Sequence, residues 1–244
     1  MVTPSSILFE RGRRLEREEM LVFKEANLRG YSVRYVCIKH LLRKRPDAIP
    51  KEGELPVGTI QFIHAACKSI GREIAPADYY PACLTPWLFR KVWKSTYKDV
   101  YRYLENGGTP IFIKSVKLKK LSGKVVTFET DLQALQCSKN LELWCSEVVE
   151  WRAEFRVYVV NRKIVHVGWY ENKDNLCLNM NAVESALQAM WDANYPISNF
   201  CIDFGVLDNG ETALIEMGDG YSMGAYDIPA ADYLTLLQNW WLSV

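Results

Sequence analysis

The chain has 244 residues, 49% of them hydrophobic, and its 30 lysines and arginines nearly balance 29 aspartates and glutamates for a formal net charge of +1. That length fits one large domain or two small packed ones, while near-neutrality leaves no electrostatic footprint for nucleic acid or an anionic membrane. No apolar run is long enough to cross a bilayer, the opening residues lack the apolar core of a signal peptide, and seven cysteines without paired spacing suit reduced thiols in a cytoplasm.

Residues 5–9 read as a short strand. From Gly12 to about Arg29, Leu15, Met20, Leu21, Phe23, Ala26 and Leu28 recur at helical spacing, and Gly30 supplies the stop. YSVRYVCI (31–38) makes a second strand, so the opening is β-α-β and implies a small parallel-sheet lobe. The polar stretch 41–56, with Pro46, Pro50 and Pro56, is expected to be an exposed loop. Residues 57–74 read as a strand end leading into a helix closed by Gly71. Beyond the run Pro76–Pro81 a helix is expected over 84–105, with Trp87, Leu88, Val92, Trp93 and Tyr97 on its apolar side. Strands then dominate, in 110–117, 124–129, 143–149, 154–160 and 163–170, before a helix at about Asn181–Asn194. A hairpin over 200–217 and an amphipathic stretch, Ala230–Leu242, complete the chain. The expected fold class is α+β, with an N-terminal α/β lobe (1–80) and a larger antiparallel lobe (81–244).

The hairpin is the most informative segment. Asp208-Asn209-Gly210 between two apolar runs is a strong turn signal, and it brings Asp203 in FCIDFGVL close to Glu216 in TALIEMGDG. Carboxylates in apolar strands are costly unless neutralised, and a divalent cation such as magnesium neutralises them well. The Gly218–Gly224 loop that follows adds Asp219 and the hydroxyl of Ser222, although a plain surface turn would use the same glycines.

Upstream, Lys114 lies in the apolar strand TPIFIKSVK and can serve as a point charge over nucleotide phosphates, or as an ordinary edge lysine. Lys124 follows the flexible turn Leu121-Ser122-Gly123 and competes with Lys117, Lys119 and Lys120 for a place over the phosphates; the same run also reads as a solvated hairpin tip. Ser146, Glu147, Val148 and Val149 end a strand, where backbone groups can read an adenine edge and an acidic side chain the ribose. Glu154 and Arg156 share one strand face, and Arg156 can grip a phosphate or carboxylate bidentately; a surface ion pair is the plainer alternative. The order of strand lysine, strand end and carboxylate hairpin is that of an Mg-ATP site. The chain has no GxxxxGK[ST], no GxGxxG after its first strand, no KxDG and no HRD element, and no CxxC beside its three scattered histidines.

Together, PIFIKSVK with SGKVV, SEVVEWRAEFRVYVVNRKIVHVGWY, and CIDFGVLDNGETALIEMGDGYSMGAYDI resemble the ATP-grasp fold. More narrowly they are similar to a compact bacterial and phage clade of it, itself distantly similar to a eukaryotic cell-division-cycle factor that assembles a translation initiation complex. The leading VGTIQFIHAACKSIGREIAPADYYP resembles the pre-ATP-grasp region, and the likeness covers about residues 55–230. It implies a nucleotide cleft between the lobes, Lys114 on the phosphates, residues 146–149 as adenine hinge, Glu154 and Arg156 in the cleft, and magnesium on Asp203 and Glu216. Many ATP-grasp enzymes have Asn two residues after the final glutamate; here Gly218 stands there, with Asp219 next as the third candidate ligand.

The function so implied is an ATP- and Mg2+-dependent carboxylate–amine (or thiol) ligase working through an acyl phosphate, with Lys114 and Arg156 catalytic and Arg156 and Ser222 facing substrate. Its partners would be small-molecule or peptide acids and amines, with neither nucleic acid nor membrane. The alternative is an ATP-binding assembly factor with a protein partner, for which an exposed aromatic surface at Trp240 and Trp241 would speak; core packing of both is the plainer reading. The loops at 45–56 and 170–180 would shape the substrate pocket, with Asn172, Lys173, Asp174 and Asn175 either contacting substrate or forming a plain polar turn.

Overall fold

The computed structural model describes residues 2–12, 14–117, 121–135, 137–172 and 175–244; Lys119, Lys120, Lys173, Asp174 and the side chains of Glu171 and Asn172 lie outside the described residues. The β-α-β opening forms as expected. Strands β1 (Ser6–Glu10), β2 (Ser32–Val36) and β3 (Glu54–Val57) make a parallel sheet in the order β2-β1-β3. In central β1 Ile7, Leu8 and Phe9 are fully buried, as a strand covered on both faces requires. Helix α1 (Arg17–Leu28) joins β1 to β2, and helix α2 (Ile38–Leu42), which follows β2, packs on α3 (Ile60–Ser69). Helix α1 starts at a capping box between Glu16 and Glu19 and ends where Gly30 takes φ +70°, a conformation that glycine adopts without penalty.

The 41–56 segment is not the exposed loop expected of it. Ala48 and Glu54 are buried, because the Arg34 guanidinium binds Glu54 through two hydrogen bonds of 2.6 Å and also donates to the carbonyls of Asp47 and Ile49. Pro56 then sits in β3, an edge strand, where a missing N–H is tolerated.

The helix expected over 84–105 is corrected to three elements. These are a 3-10 turn (Ala82–Trp87) containing Pro86, strand β4 (Val92–Thr96) and helix α4 (Tyr97–Glu105), whose N-cap Thr96 accepts from Asp99 N. The Val-Trp-Lys-Ser-Thr segment has apolar spacing compatible with a helix, but it gains a full antiparallel ladder with β7 (Glu142–Glu147). The sheet runs β4-β7-β5-β6, with β5 at Ile111–Ser115 and β6 at Lys124–Val126. Helix α4 and the short α5 (Glu129–Gln133) share a core with Ile111, Ile113, Val126, Leu143 and Cys145.

The third sheet, also antiparallel, runs β11-β10-β8-β9: β8 (Trp151–Val160), β9 (Lys163–Asn172), β10 (Phe200–Leu207) and β11 (Thr212–Met217). Every residue of β10 is buried. Helix α6 (Met180–Asp192) supplies Val183, Ala186, Leu187 and Met190 to its core. The terminal helix α7 (Ala230–Ser243) returns to pack on α1, and Trp240 and Trp241 are 7% and 5% exposed inside that core. They present no aromatic surface to a partner. No described helix is long and apolar enough to cross a membrane.

Candidate functional site

The hairpin register places Asp203 on β10 opposite Glu216 on β11, and the same Asp203 opposite Arg156 on β8. Three charged residues therefore stand in a row across three strands, on the face away from the α6 core. Arg156 grips Asp203 bidentately, Nε to Oδ1 at 2.8 Å and Nη2 to Oδ2 at 2.7 Å. From the other antiparallel sheet the ammonium of Lys114 ion-pairs with Glu216. The row closes as a line of alternating pairs, Arg156–Asp203 and Glu216–Lys114. Asp203 is 4% exposed and Lys114 7%, so neither charge would be tolerable alone. Burial pushes the Asp203 carboxyl above its ordinary value and Arg156 opposes it; burial also lowers Lys114, opposed by Glu216.

Between the two antiparallel sheets lies a cleft of about 630 Å³. Lys114, Lys124, Ser146, Glu147, Val148, Val149, Glu154 and Glu216, separate in sequence, all line it. Its walls come mostly from those sheets, and the small lobe contributes Ile60 at the start of α3. Ser146 is buried, Val148 exposed, and Glu147 is held by backbone and side-chain bonds to Lys91. Glu154 is hydrogen-bonded by Tyr170, which stacks on Tyr226 at 4.7 Å.

Arg156 and Asp203, paired with each other, do not line this cleft, and two further predicted residues go elsewhere. Ser222, at φ +47°, donates to the carbonyl of Gly58 and lines a second cavity of about 290 Å³, to which Ile60 also contributes. Asp219, its carbonyl accepting from Cys201 Sγ, has its carboxyl pushed by burial to about 6. Among the described residues no three His, Cys, Asp and Glu side chains are grouped to hold a metal. Asp203 and Glu216 alone supply two facing carboxylates, which fits magnesium, an ion that takes one or two protein carboxylates and completes its shell with waters and phosphates. Cys145 and Cys201 are buried with thiols pushed up to about 12, which suits packing rather than nucleophilic work.

Sequence reasoning missed Arg90, Tyr79, Tyr80 and Trp151, all of which line the cleft. Arg90 donates to the carbonyls of Leu88, Leu214 and Ile215 and lies 5.2 Å over the Trp151 ring, so it anchors β11 beside Glu216. The preceding Phe89 takes φ +49° and stays half exposed, a strained turn that sets Arg90 inward. No periodicity marks an arginine in such a turn. Trp151 lies over Gly205, where a Cβ would come within 2.8 Å of Trp151 Cζ3 and closer still to Cε3. Gly205→Ala is therefore expected to lose roughly 1–3 kcal/mol in denaturant unfolding and to shift Trp151 fluorescence; an unchanged midpoint would show that the ring moves freely.

His64 on α3 bonds the Tyr221 hydroxyl at 2.8 Å, and burial lowers its pKa. An imidazole held neutral in the fold contributes stability above its unfolded pKa of about 6.5 that is lost on acidification below it. The difference in unfolding free energy between wild type and His64→Gln should thus shrink as pH falls from about 7 to about 5. A pH-independent difference would rule out that linkage.

The chain is similar to the crystal structure of a RimK domain protein ATP-grasp from Sphaerobacter thermophilus DSM 20745, at 12% identity and TM-score 0.60 over 97% of this chain and 100% of that one. It is similar to the D-alanine–D-alanine ligase of Bacillus anthracis complexed with ATP, at 13% identity and TM-score 0.56 over 98% and 97%. A third likeness is to the macrocyclase MdnC bound with precursor peptide MdnA from Microcystis aeruginosa MRC, at 14% identity and TM-score 0.50 over 96% and 99%. At these identities the likeness is one of fold. No curated protein sequence matches the chain. The family model for an ATP-grasp domain, the second family of its clade, matches residues 87–236, more than half of the chain and all of both antiparallel sheets. The chain thus has the ATP-grasp fold and belongs to the ATP-grasp family.

Proposed function

We propose that the protein is an ATP- and magnesium-dependent ligase that joins a carboxylate to an amine (or thiol) through an acyl phosphate. The observation that carries this reading is the convergence in one cleft of Lys114, Lys124, the 146–149 segment, Glu154 and Glu216. Backbone groups at 146–149 would meet the adenine, with Glu147 or Glu154 reaching the ribose. Lys114 and Lys124 would lie on the phosphates, and Asp203 and Glu216 would hold magnesium, which neutralises charge on the phosphate oxygens when bound.

In the reaction a substrate carboxylate oxygen bonds to the γ-phosphorus and the bond to ADP breaks. The amine then attacks the acyl carbon, phosphate leaves, and the amine proton passes to solvent. Positioning and charge neutralisation suffice, with no covalent protein nucleophile. Arg156 is already committed to Asp203 through two donors, so its part is to fix that carboxylate beside the cleft. The second cavity at Ser222, adjoining through Ile60, gives acid and amine a place beside the nucleotide. One protein of the same fold is bound with a precursor peptide and another is complexed with a minimal precursor, which makes peptides the first substrates to try.

The test is calorimetry with Mg·ATP, followed by phosphate and ADP release in a matrix of acids, peptides and amines. Micromolar-range binding with acid-dependent phosphate release supports the ligase. Absence of heat and of any thermal shift with every nucleotide removes it.

A further inference from the structure

The two tyrosines of the segment joining the small lobe to the sheets have no role in the reading above. Lys114 Nζ lies 3.4 Å from the centroid of the Tyr79 ring and 5.4 Å from that of Tyr80. The Tyr79 backbone and the Tyr80 ring are each held by neighbours. The Tyr79 carbonyl accepts from Met217 N at 2.9 Å, next to Glu216 on β11. Tyr80 meets Trp144 edge-on at 4.9 Å.

We infer that Tyr79 is a positioning residue for the lysine, its ring face holding the Lys114 ammonium at the phosphate end of the cleft. The inference rests on the nucleotide reading and deepens it. The reason for a ring lies in what Glu216 must do. A carboxylate that takes a magnesium ion gives up much of its hold on Lys114, leaving a buried ammonium without its anionic partner. An aromatic face attracts the ammonium whether or not Glu216 is engaged, and it carries no net charge. It therefore keeps the lysine in place without neutralising the charge that the phosphates are to meet. The near-complete burial of Lys114 removes competing water and puts the contact at the strong end for its kind.

Packing alone would also place a tyrosine here, so the test separates ring face from bulk. Mg·ATP and adenosine are titrated into full-chain wild type, Tyr79→Phe, Tyr79→Leu and Tyr79→Met, with thermal unfolding of each recorded. The ring-face role predicts that Leu and Met weaken Mg·ATP about tenfold, ~1.4 kcal/mol, leave adenosine within about twofold, and that Phe behaves as wild type. Equal loss of ATP and adenosine, loss in Phe as well, or no loss in Leu and Met each overturns it. Failure of wild type to bind either ligand instead removes the nucleotide reading, and this role with it.

Discussion

Glu216→Ala is expected to weaken Mg·ATP binding roughly a hundredfold, ~2.8 kcal/mol at 1.4 kcal/mol per decade, while leaving magnesium-free ATP unharmed. Glu216 supplies one of two facing carboxylates and also occupies Lys114. In the proposed site, removing it takes away a metal ligand and frees the ammonium, so its two effects on the phosphates have opposite signs. Titrations with and without magnesium separate them. The mutant should lose the gain that magnesium gives the wild type. Lys114→Met, by contrast, should weaken ATP in both conditions, since it removes the charge proposed to meet phosphate directly. A Glu216→Ala protein that binds Mg·ATP within about threefold of wild type would refute the metal assignment.

Arg156→Met should lower the unfolding free energy by about 3–5 kcal/mol, because it strands the Asp203 charge at 4% exposure in the central strand. Neither partner is at fault alone; the cost comes from breaking a buried pair. Replacing both, as in Arg156→Met with Asp203→Leu, should recover most of the loss, since an apolar pair of similar volume is often neutral there. Denaturant unfolding of the two single mutants and the double mutant gives the coupling directly. Additive losses would show that the two side chains are not energetically coupled, and the row of charges would lose its structural rationale. The double mutant should still lack the magnesium effect, which distinguishes a folded protein from a functional one.

The carboxylate hairpin was legible because its determinants are local. Strand alternation and the Asp208-Asn209-Gly210 turn bring Asp203 and Glu216 close on one hairpin, and a bulge between Asp203 and Phe204 then pairs them, since the regular register from Val206–Thr212 would set Asp203 opposite Ile215. The parallel opening was legible for the same reason, since each strand and helix declares its period and Gly30 its stop. Residues 84–105 differ, because their period is ambiguous. Val92–Thr96 has a pattern either period can use, and its partner β7 lies some fifty residues away, so ladder bonds decided it. Arg34 likewise ordered 41–56 through carbonyls that no composition reveals.

What the amino-acid sequence determined by itself was the parallel opening, the carboxylate hairpin and most of the strands, with a strand lysine and two acids on neighbouring strands, enough to name the fold family. What only the tertiary structure decided was the pairing. Lys114 meets Glu216 across 102 positions and between two sheets, Arg156 turns to Asp203, and Ser222 goes to a second cavity. Tyr79, Tyr80 and Arg90 enter the cleft from segments without a period. The physical reason is that periodicity tells which face a side chain takes on its own element. The charge it meets depends on how sheets pack on one another, and that is set by the summed burial of all three cores.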